Sequence, residues 1–366
     1  MSRRKIHIIR YALLLSLSLA AVAPVFAQSL HWAVDFNTIF DNREGSDRYT
    51  ESKTFFQTKL APEVGLSMDG GKHLIAGGLS WTQPIGNGWK GYQIQPTVYY
   101  QFRTAKVRFN FGMFPKEHLY RSLPNYIWND SIQYNQSNIR GLQVSYQRAQ
   151  GFFEAIVDWR GMQTREQREA FNIIARGEWQ PRCKPFMLGG LVMMNHLAKR
   201  YDPPEDERIC DNFMTHLYVG VNLSHLTVMD SLTVRAGWLV DLTRNRTDDR
   251  WRAPSGFLLD VATEWRFLGL TNTFYIGKSL YPYYSTFRWT LNQGEAYYQS
   301  PWFDRLSIYG YIFRRPFMNL SASLDFNFAK ENFSFYQRIL LRVYLDEDIW
   351  HRRKELPKGE YLSRIY

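Results

Sequence analysis

From Ser29 onward the chain repeats runs of about ten residues in which apolar and polar side chains alternate, the period that sends successive side chains to opposite faces of a sheet. The clearest run has Met318, Leu320, Ala322, Leu324, Phe326 and Phe328 interleaved with Asn319, Ser321, Ser323, Asp325 and Asn327. In another, Val107, Phe109, Phe111 and Met113 oppose Lys106, Arg108 and Asn110; in a third, Phe257, Leu259, Val261, Trp265 and Phe267 oppose Asp260, Glu264 and Arg266. Near the C-terminus Ile339, Leu341, Val343 and Leu345 oppose Arg338, Arg342, Tyr344 and Asp346. A soluble sandwich alternates in the same way, so the connections have to decide between architectures.

Sixteen such runs can be placed, at 31–42, 54–68, 72–83, 92–103, 106–114, 138–147, 152–162, 168–180, 184–196, 212–224, 231–243, 256–267, 270–278, 302–313, 317–329 and 333–346. The apolar stretch 186–194 and the short run 270–278 are the least regular, and leave 14 to 18 as the range. Short turns such as Asp69-Gly70-Gly71 and Arg314-Arg315-Pro316 take turns with longer polar loops at 43–53, 84–91, 115–137, 163–167, 197–211, 244–255 and 279–301; the connection at 330–332 is short. That rhythm predicts an all-β fold: a closed antiparallel up-and-down transmembrane barrel with short periplasmic turns, longer outer loops and both termini in the periplasm. Closure follows because hydrocarbon offers no water to unpaired backbone groups, so a spanning sheet cannot keep an edge.

The first 27 residues read as a secretory signal peptide: basic Arg3, Arg4, Lys5 and Arg10, an apolar stretch from Tyr11 to Val22, and a small-residue exit at Val25-Phe26-Ala27. Its removal takes four bases from the formal charge of +11. Lys and Arg elsewhere are scattered among nearly as many acids, which speaks against nucleic acid as a partner. After that leader no apolar run approaches the ~20 residues of a spanning helix. An aromatic content of 16%, with 23 Tyr, 25 Phe and 12 Trp, suits strands bounded by interfacial girdles. The chain is therefore expected in the outer membrane of a Gram-negative-type cell, among its lipids and delivered by the barrel-assembly machinery. Residues 28–350 form the barrel and 351–366 a basic periplasmic tail.

Of the two cysteines, Cys183 falls in a predicted periplasmic turn and Cys210 in an outer loop, so no bridge between them is expected. The polar strand faces carry Arg103, Lys106, Arg108, Arg160, Arg176, Arg235, Arg266, Arg338 and Arg342 against Glu154, Asp158, Glu178, Asp241, Asp260, Glu264, Asp325 and Asp346. Arg on the lipid face costs about 2–4 kcal/mol at the membrane midplane, so these side chains must line an interior. Arg108, Asp158, Arg160, Arg176, Arg235, Asp260, Glu264, Arg266, Arg338 and Arg342 are the pore-lining candidates.

Sixteen strands, periplasmic termini and a long third outer loop, residues 115–137 with Tyr120, Tyr126, Trp128 and Tyr134, resemble the general porin family. That resemblance implies a third loop folded into the lumen as a constriction, with Lys116, Glu117, Arg121 and Asp130 as its candidate charges. Gly112-Met113-Phe114-Pro115-Lys116-Glu117 is faintly similar to a strand exit of phosphate-selective porins. The C-terminal tail departs from the family, whose barrels finish on an aromatic strand.

The reading that follows is a passive channel, monomeric or homotrimeric, for small hydrophilic solutes or ions, with no cofactor and no metal. A lumen filled by a salt-bridged network, in a structural, ligand-binding or secretion-associated barrel, is the first alternative; the aromatic loop 279–301 fits it and fits girdle residues equally. A barrel-wall hydrolase is the second. No Gly-x-Ser-x-Gly or His-Glu-x-x-His accompanies the scattered histidines, of which His216 and His225 lie on or just beyond one strand, so the chain is expected not to be an enzyme.

Overall fold

A computed structural model of the chain describes residues 29–349 apart from 46, 47, 182–184, 206 and 248. The expected leader, the tail and Cys183 lie outside the described residues. The rest is one continuous antiparallel sheet closed on itself. Its strands are β1 (Ser29–Glu44), β2 (Lys53–Met68), β3 (His73–Pro84), β4 (Gln93–Arg103), β5 (Val107–Pro115), β6 (Asn138–Arg148), β7 (Gly151–Gly161), β8 (Ala170–Trp179) and β9 (Phe186–Leu197). They continue with β10 (Cys210–Asn222), β11 (Ser231–Asn245), β12 (Arg250–Arg252), β13 (Ser255–Trp265), β14 (Leu268–Gly277), β15 (Trp302–Arg315), β16 (Met318–Ala329) and β17 (Asn332–Asp346). β12 is a three-residue strand that pairs only the outer end of β11. The other sixteen make the wall, and β1 closes it against β17 from Ala33↔Asp346 to Glu44↔Phe335.

The side-chain period of two gives every strand a lipid face and a lumen face. In β7 the buried Glu154, Ile156 and Asp158 point inward, while Phe153 and Trp159 are exposed outward. This wall is therefore inside-out relative to a soluble protein: Phe111, Leu217 and Trp238 are more than half exposed, and the fully buried groups, among them Phe114, Ile139 and Tyr336, face the lumen.

Turn chemistry sets the strand ends. Asp69, Gly70 and Gly71 all take positive φ between β2 and β3, and Glu331 does so in the two-residue turn between β16 and β17. Arg266 also has φ of 56°, in the turn that ends β13 at Trp265. The expectation that Arg266 lines the pore is corrected by that position: the apolar and polar alternation runs on past the strand's last residue, and the guanidinium rests 4.8 Å from the Trp265 ring centroid. Lys106, expected on the inner face, likewise falls in the turn before β5. A bulge between Tyr311 and Phe313 shifts the alternation by one, which brings Arg314 inward to Glu264.

Candidate functional site

Two outer loops enter the lumen. Loop L3 (116–137) leaves β5 at Pro115 and contains a 3-10 turn (Lys116–His118) and helix α1 (Asp130–Asn135). The side chain of Asn129 caps α1 by accepting from the Ile132 amide. Along its length L3 touches almost every sector of the wall in order. The His118 carbonyl accepts from Arg108 on β5, and the Tyr120 amide donates to Glu154 on β7. Arg121 pairs with Glu178 near the periplasmic end of β8, and Tyr126 hydrogen-bonds His216 in mid-β10. Asp130 lies 2.7 Å from Arg305 on β15 and 3.1 Å from Arg338 on β17. Asn135 accepts from Gln57 on β2 and Gln95 on β4, and Ser137 meets Ser80 on β3. L3 is thus an inner lining that makes one circuit of the barrel.

Loop L7 (278–301) lies nearer the outer mouth and crosses from side to side. The Thr290 carbonyl accepts from Arg160 on β7. Seven residues later, Tyr297 bonds Ser334 and Tyr336 on β17, almost diametrically opposite. In between, Asn129 donates to the Gln293 carbonyl, Glu295 accepts from the Asp130 amide, and the Glu295 amide donates to the Asn125 carbonyl. Gly294 permits this closeness: a Cβ there would overlap the Tyr281 hydroxyl and the Tyr126 carbonyl. Tyr281, Tyr297 and Tyr298 are buried in the lumen and are not girdle residues, whereas Trp289 is exposed.

The candidate lumen residues are therefore tied to partners. Arg176 pairs with Glu154 and donates to the Arg121 and Ser122 carbonyls. Arg235 pairs with Glu178, Arg342 with Asp35, and Arg338 with Asp325 as well as Asp130. Asp158 accepts from Gln136 and the Arg140 amide, Asp260 from Thr273, and Glu264 from Tyr309 and Tyr311. Arg160 also reaches Asn195.

The four loop charges sit inside. Burial opposes ionisation of Glu117, but Lys59, Lys116 and Arg342 outweigh it and hold its pKa down at about 2. Burial and the nearby Lys59 lower Lys116 to about 7. Burial likewise opposes ionisation of Asp130, and Arg305, Arg338 and Arg43 overcome it, so its pKa is lowered. Arg305, Glu295 and the Tyr126–His216 contact were not legible as partners in the sequence, since Asp130 and Arg305 are 175 residues apart.

A second constellation lies on the outside of the wall, at the outer ends of β8 to β11. His196 on β9 and Asp211 on β10 are direct cross-strand neighbours, with Nδ1 to Oδ1 at 3.5 Å. Asp211 also binds Arg244 at 3.0 Å and Arg246 at 2.8 Å. The His196 ring lies 5.1 Å from Phe171, which stacks on Trp159. Both His196 and Asp211 share the outward face with apolar neighbours, Met194 and Phe213. Among the described residues no group of three or more metal-ligating side chains forms.

The wall is similar to solved outer-membrane porins. OpdK of Pseudomonas aeruginosa, solved with vanillate, superposes with a TM-score of 0.51 at 10% identity over 88% of this chain and 100% of that one. An anion-selective porin from Comamonas acidovorans gives 0.50 at 9% identity over 87% and 99%, and OprB of Pseudomonas putida 0.50 at 9% over 89% and 96%. These likenesses establish the porin-like fold. None of the curated proteins matches the chain by sequence.

The model of a different family, described as lipid A 3'-O-deacylase-type, matches residues 22–349, a span that contains all of the described structure. That match overturns the expectation that the chain is not an enzyme. The expectation rested on contiguous motifs, and a site assembled from separate strands of a wall leaves none. Porin-like in its wall, the chain belongs to the lipid A 3'-O-deacylase-type family.

Proposed function

We propose that this chain is an outer-membrane hydrolase that removes an ester-linked acyl chain from a lipid A-type glycolipid, working at the outer rim of β8 to β11. The observation that carries the proposal is the placement of His196 beside Asp211. The pair faces outward at the outer ends of two strands, the level at which an outer-leaflet glycolipid presents its esters. With Nδ1 turned to Asp211, the imidazole offers Nε2 to a water molecule. The water oxygen attacks the acyl carbonyl, the ester C–O bond breaks, and the proton taken by His196 passes to the leaving sugar oxygen. The products are a fatty acid and a free hydroxyl. Arg244 and Arg246 hold Asp211 ionised and place positive charge where a phosphorylated headgroup would sit. L3 and L7, which occupy the lumen, support a site outside it.

Refolded protein in vesicles containing lipid A should yield a product lighter by one acyl chain, read by mass spectrometry. His196→Ala and Asp211→Asn should lower the rate by about 100-fold or more, the usual worth of a positioned general base. Unchanged release by a folded His196→Ala barrel would reject the rim as the site.

The wall favours a second reading. Barrels of about 16 strands are wide enough for an aqueous channel, which supports passive diffusion of small hydrophilic solutes. Lys116, Glu117, Arg121 and Asp130 and the paired lumen charges would then set size and charge preference. Steady conductance in planar bilayers without acyl release would favour the channel over the hydrolase.

A further inference from the structure

Side chains alternate along a strand, so the residues flanking an outward group point into the lumen. His196 is flanked by Asn195 and Leu197, and Asp211 by Cys210 and Asn212, and all four are at most 2% exposed. Each of them leads to L7. The Asn195 carboxamide donates to the Leu291 carbonyl, and its oxygen accepts from Arg160, which also donates to the Thr290 carbonyl at 3.1 Å. Leu197 and Cys210 are opposite each other on β9 and β10, and with Ala170 of β8 they share one buried cluster with Tyr283, Phe287 and Leu291. Asn212 donates to Asp241, which accepts from the Tyr281 amide at 2.7 Å. Arg168 completes the brace from the loop before β8. It donates to the Ala198 carbonyl at 2.7 Å, just past β9, and to the Arg208 carbonyl, just before β10, while its guanidinium lies 5.5 Å from the Phe287 ring centroid.

On the outward side a substrate must be able to approach, so the backbone beneath the pair has to be fixed from behind. We propose that L7 sets the geometry of the rim pair, with Phe287 and Asn195 as positioning residues for His196 and Asp211. The inference rests on the reading of the rim as the hydrolytic site, and both residues act from the lumen side, away from the lipid. Phe287 packs behind Leu197 and Cys210, and Asn195 fixes β9 one residue from the imidazole. Truncating Phe287 leaves a cavity into which the ends of β9 and β10 can shift, and the 3.5 Å contact between His196 and Asp211 then lengthens. A displacement of about 1 Å in a reacting group is enough to cost roughly 100-fold in rate.

The test measures acyl release from vesicles containing lipid A and, on the same refolded full-length protein in detergent, the imidazole nitrogen resonances of His196, assigned by their loss in His196→Ala. Phe287→Ala should lower kcat about 10- to 100-fold and leave KM within about twofold, because the outward surface that meets the lipid is untouched. Phe287→Leu should recover most of the rate. The His196 resonances should move in the alanine variant and return in the leucine variant. Arg160→Gln, which cuts the ties to Thr290 and Asn195 together, should act in the same direction and serves if Phe287→Ala does not fold. Tyr297→Phe, at the far end of L7, should change neither readout. Full activity with unmoved His196 resonances in a folded Phe287→Ala or Arg160→Gln barrel would overturn the inference, and so would a loss confined to KM. A wild type that releases no acyl chain rejects the rim as a hydrolytic site; resonances that still move then support L7 as the brace of the pair, and resonances that stay put remove that as well.

Discussion

L3 and L7 occupy one lumen with different shares of charge. L3 adds to its buried Leu119, Leu123, Tyr126, Ile127 and Trp128 a set of ion pairs: Glu117 to Lys59, Arg121 to Glu178, Asp130 to Arg305 and Arg338, with Arg176 gripping two of its carbonyls. L7 is held mainly by buried aromatic and aliphatic groups, Leu280, Tyr281, Leu291, Tyr297 and Tyr298, and by hydroxyl and backbone hydrogen bonds, with Glu295 adding an ion pair to Arg305 at 3.6 Å. The stacking of Tyr297 on Phe303, with ring centroids 4.9 Å apart, is typical of the L7 contacts. Buried ion pairs respond to a lost partner or a changed proton, whereas packed rings respond to volume. L3, with more of its hold in ion pairs, should therefore answer more strongly to a lost charge, although the two loops touch through Gly294 and Glu295.

The largest effect on L3 alone is expected from Asp130→Ala. It leaves Arg305 and Arg338 in the lumen without that carboxylate, and breaking such a buried pair costs about 3–5 kcal/mol. Protease should then cut within L3 well before the barrel unfolds. Gly294→Ala should cost about 1–3 kcal/mol by overpacking the L7 to L3 contact, and denaturant melts should show it while the Asp130 pairs persist.

Acid separates the loops by charge alone. The Glu117 carboxylate has its folded-state pKa depressed to about 2 from 4.5. Its stabilisation is present in full above 4.5 and is lost as pH falls toward 2, and the lowered Asp130 has the same sign. Hydrogen exchange in L3 should rise through that window and exchange in L7 should not; equal responses would end the distinction. Smallest of all, Tyr126→Phe removes one hydrogen bond to His216 and should cost about 0.5–1.5 kcal/mol in a thermal melt.

How much of this was open to a reader of the sequence depends on range. The wall was legible because a period of two is local, and the expected runs match the strands to within a few residues, as with 270–278 against Leu268–Gly277. It misled at Arg266, where a turn continues the alternation. L3 was visible as a long third loop, but α1 inside it and β12 inside the sixth outer loop were not, each being one short element within a polar stretch. L7 was ambiguous, since tyrosines serve a girdle and a filled lumen equally well. The rim pair had no signal at all. His196 and Asp211 meet only because β9 and β10 pair in one register, and a one-residue slip between those strands would put the two on opposite faces.

We propose that L3 and L7 together close the lumen and leave chemistry to the outer rim. Single-channel recording of the refolded protein in planar bilayers tests it most directly, with wild type and Asp130→Ala compared in one lipid. A closed lumen gives a silent wild type and discrete openings once the Asp130 anchor is removed. Steady open-channel steps from the wild type, unchanged in the variant, would contradict it.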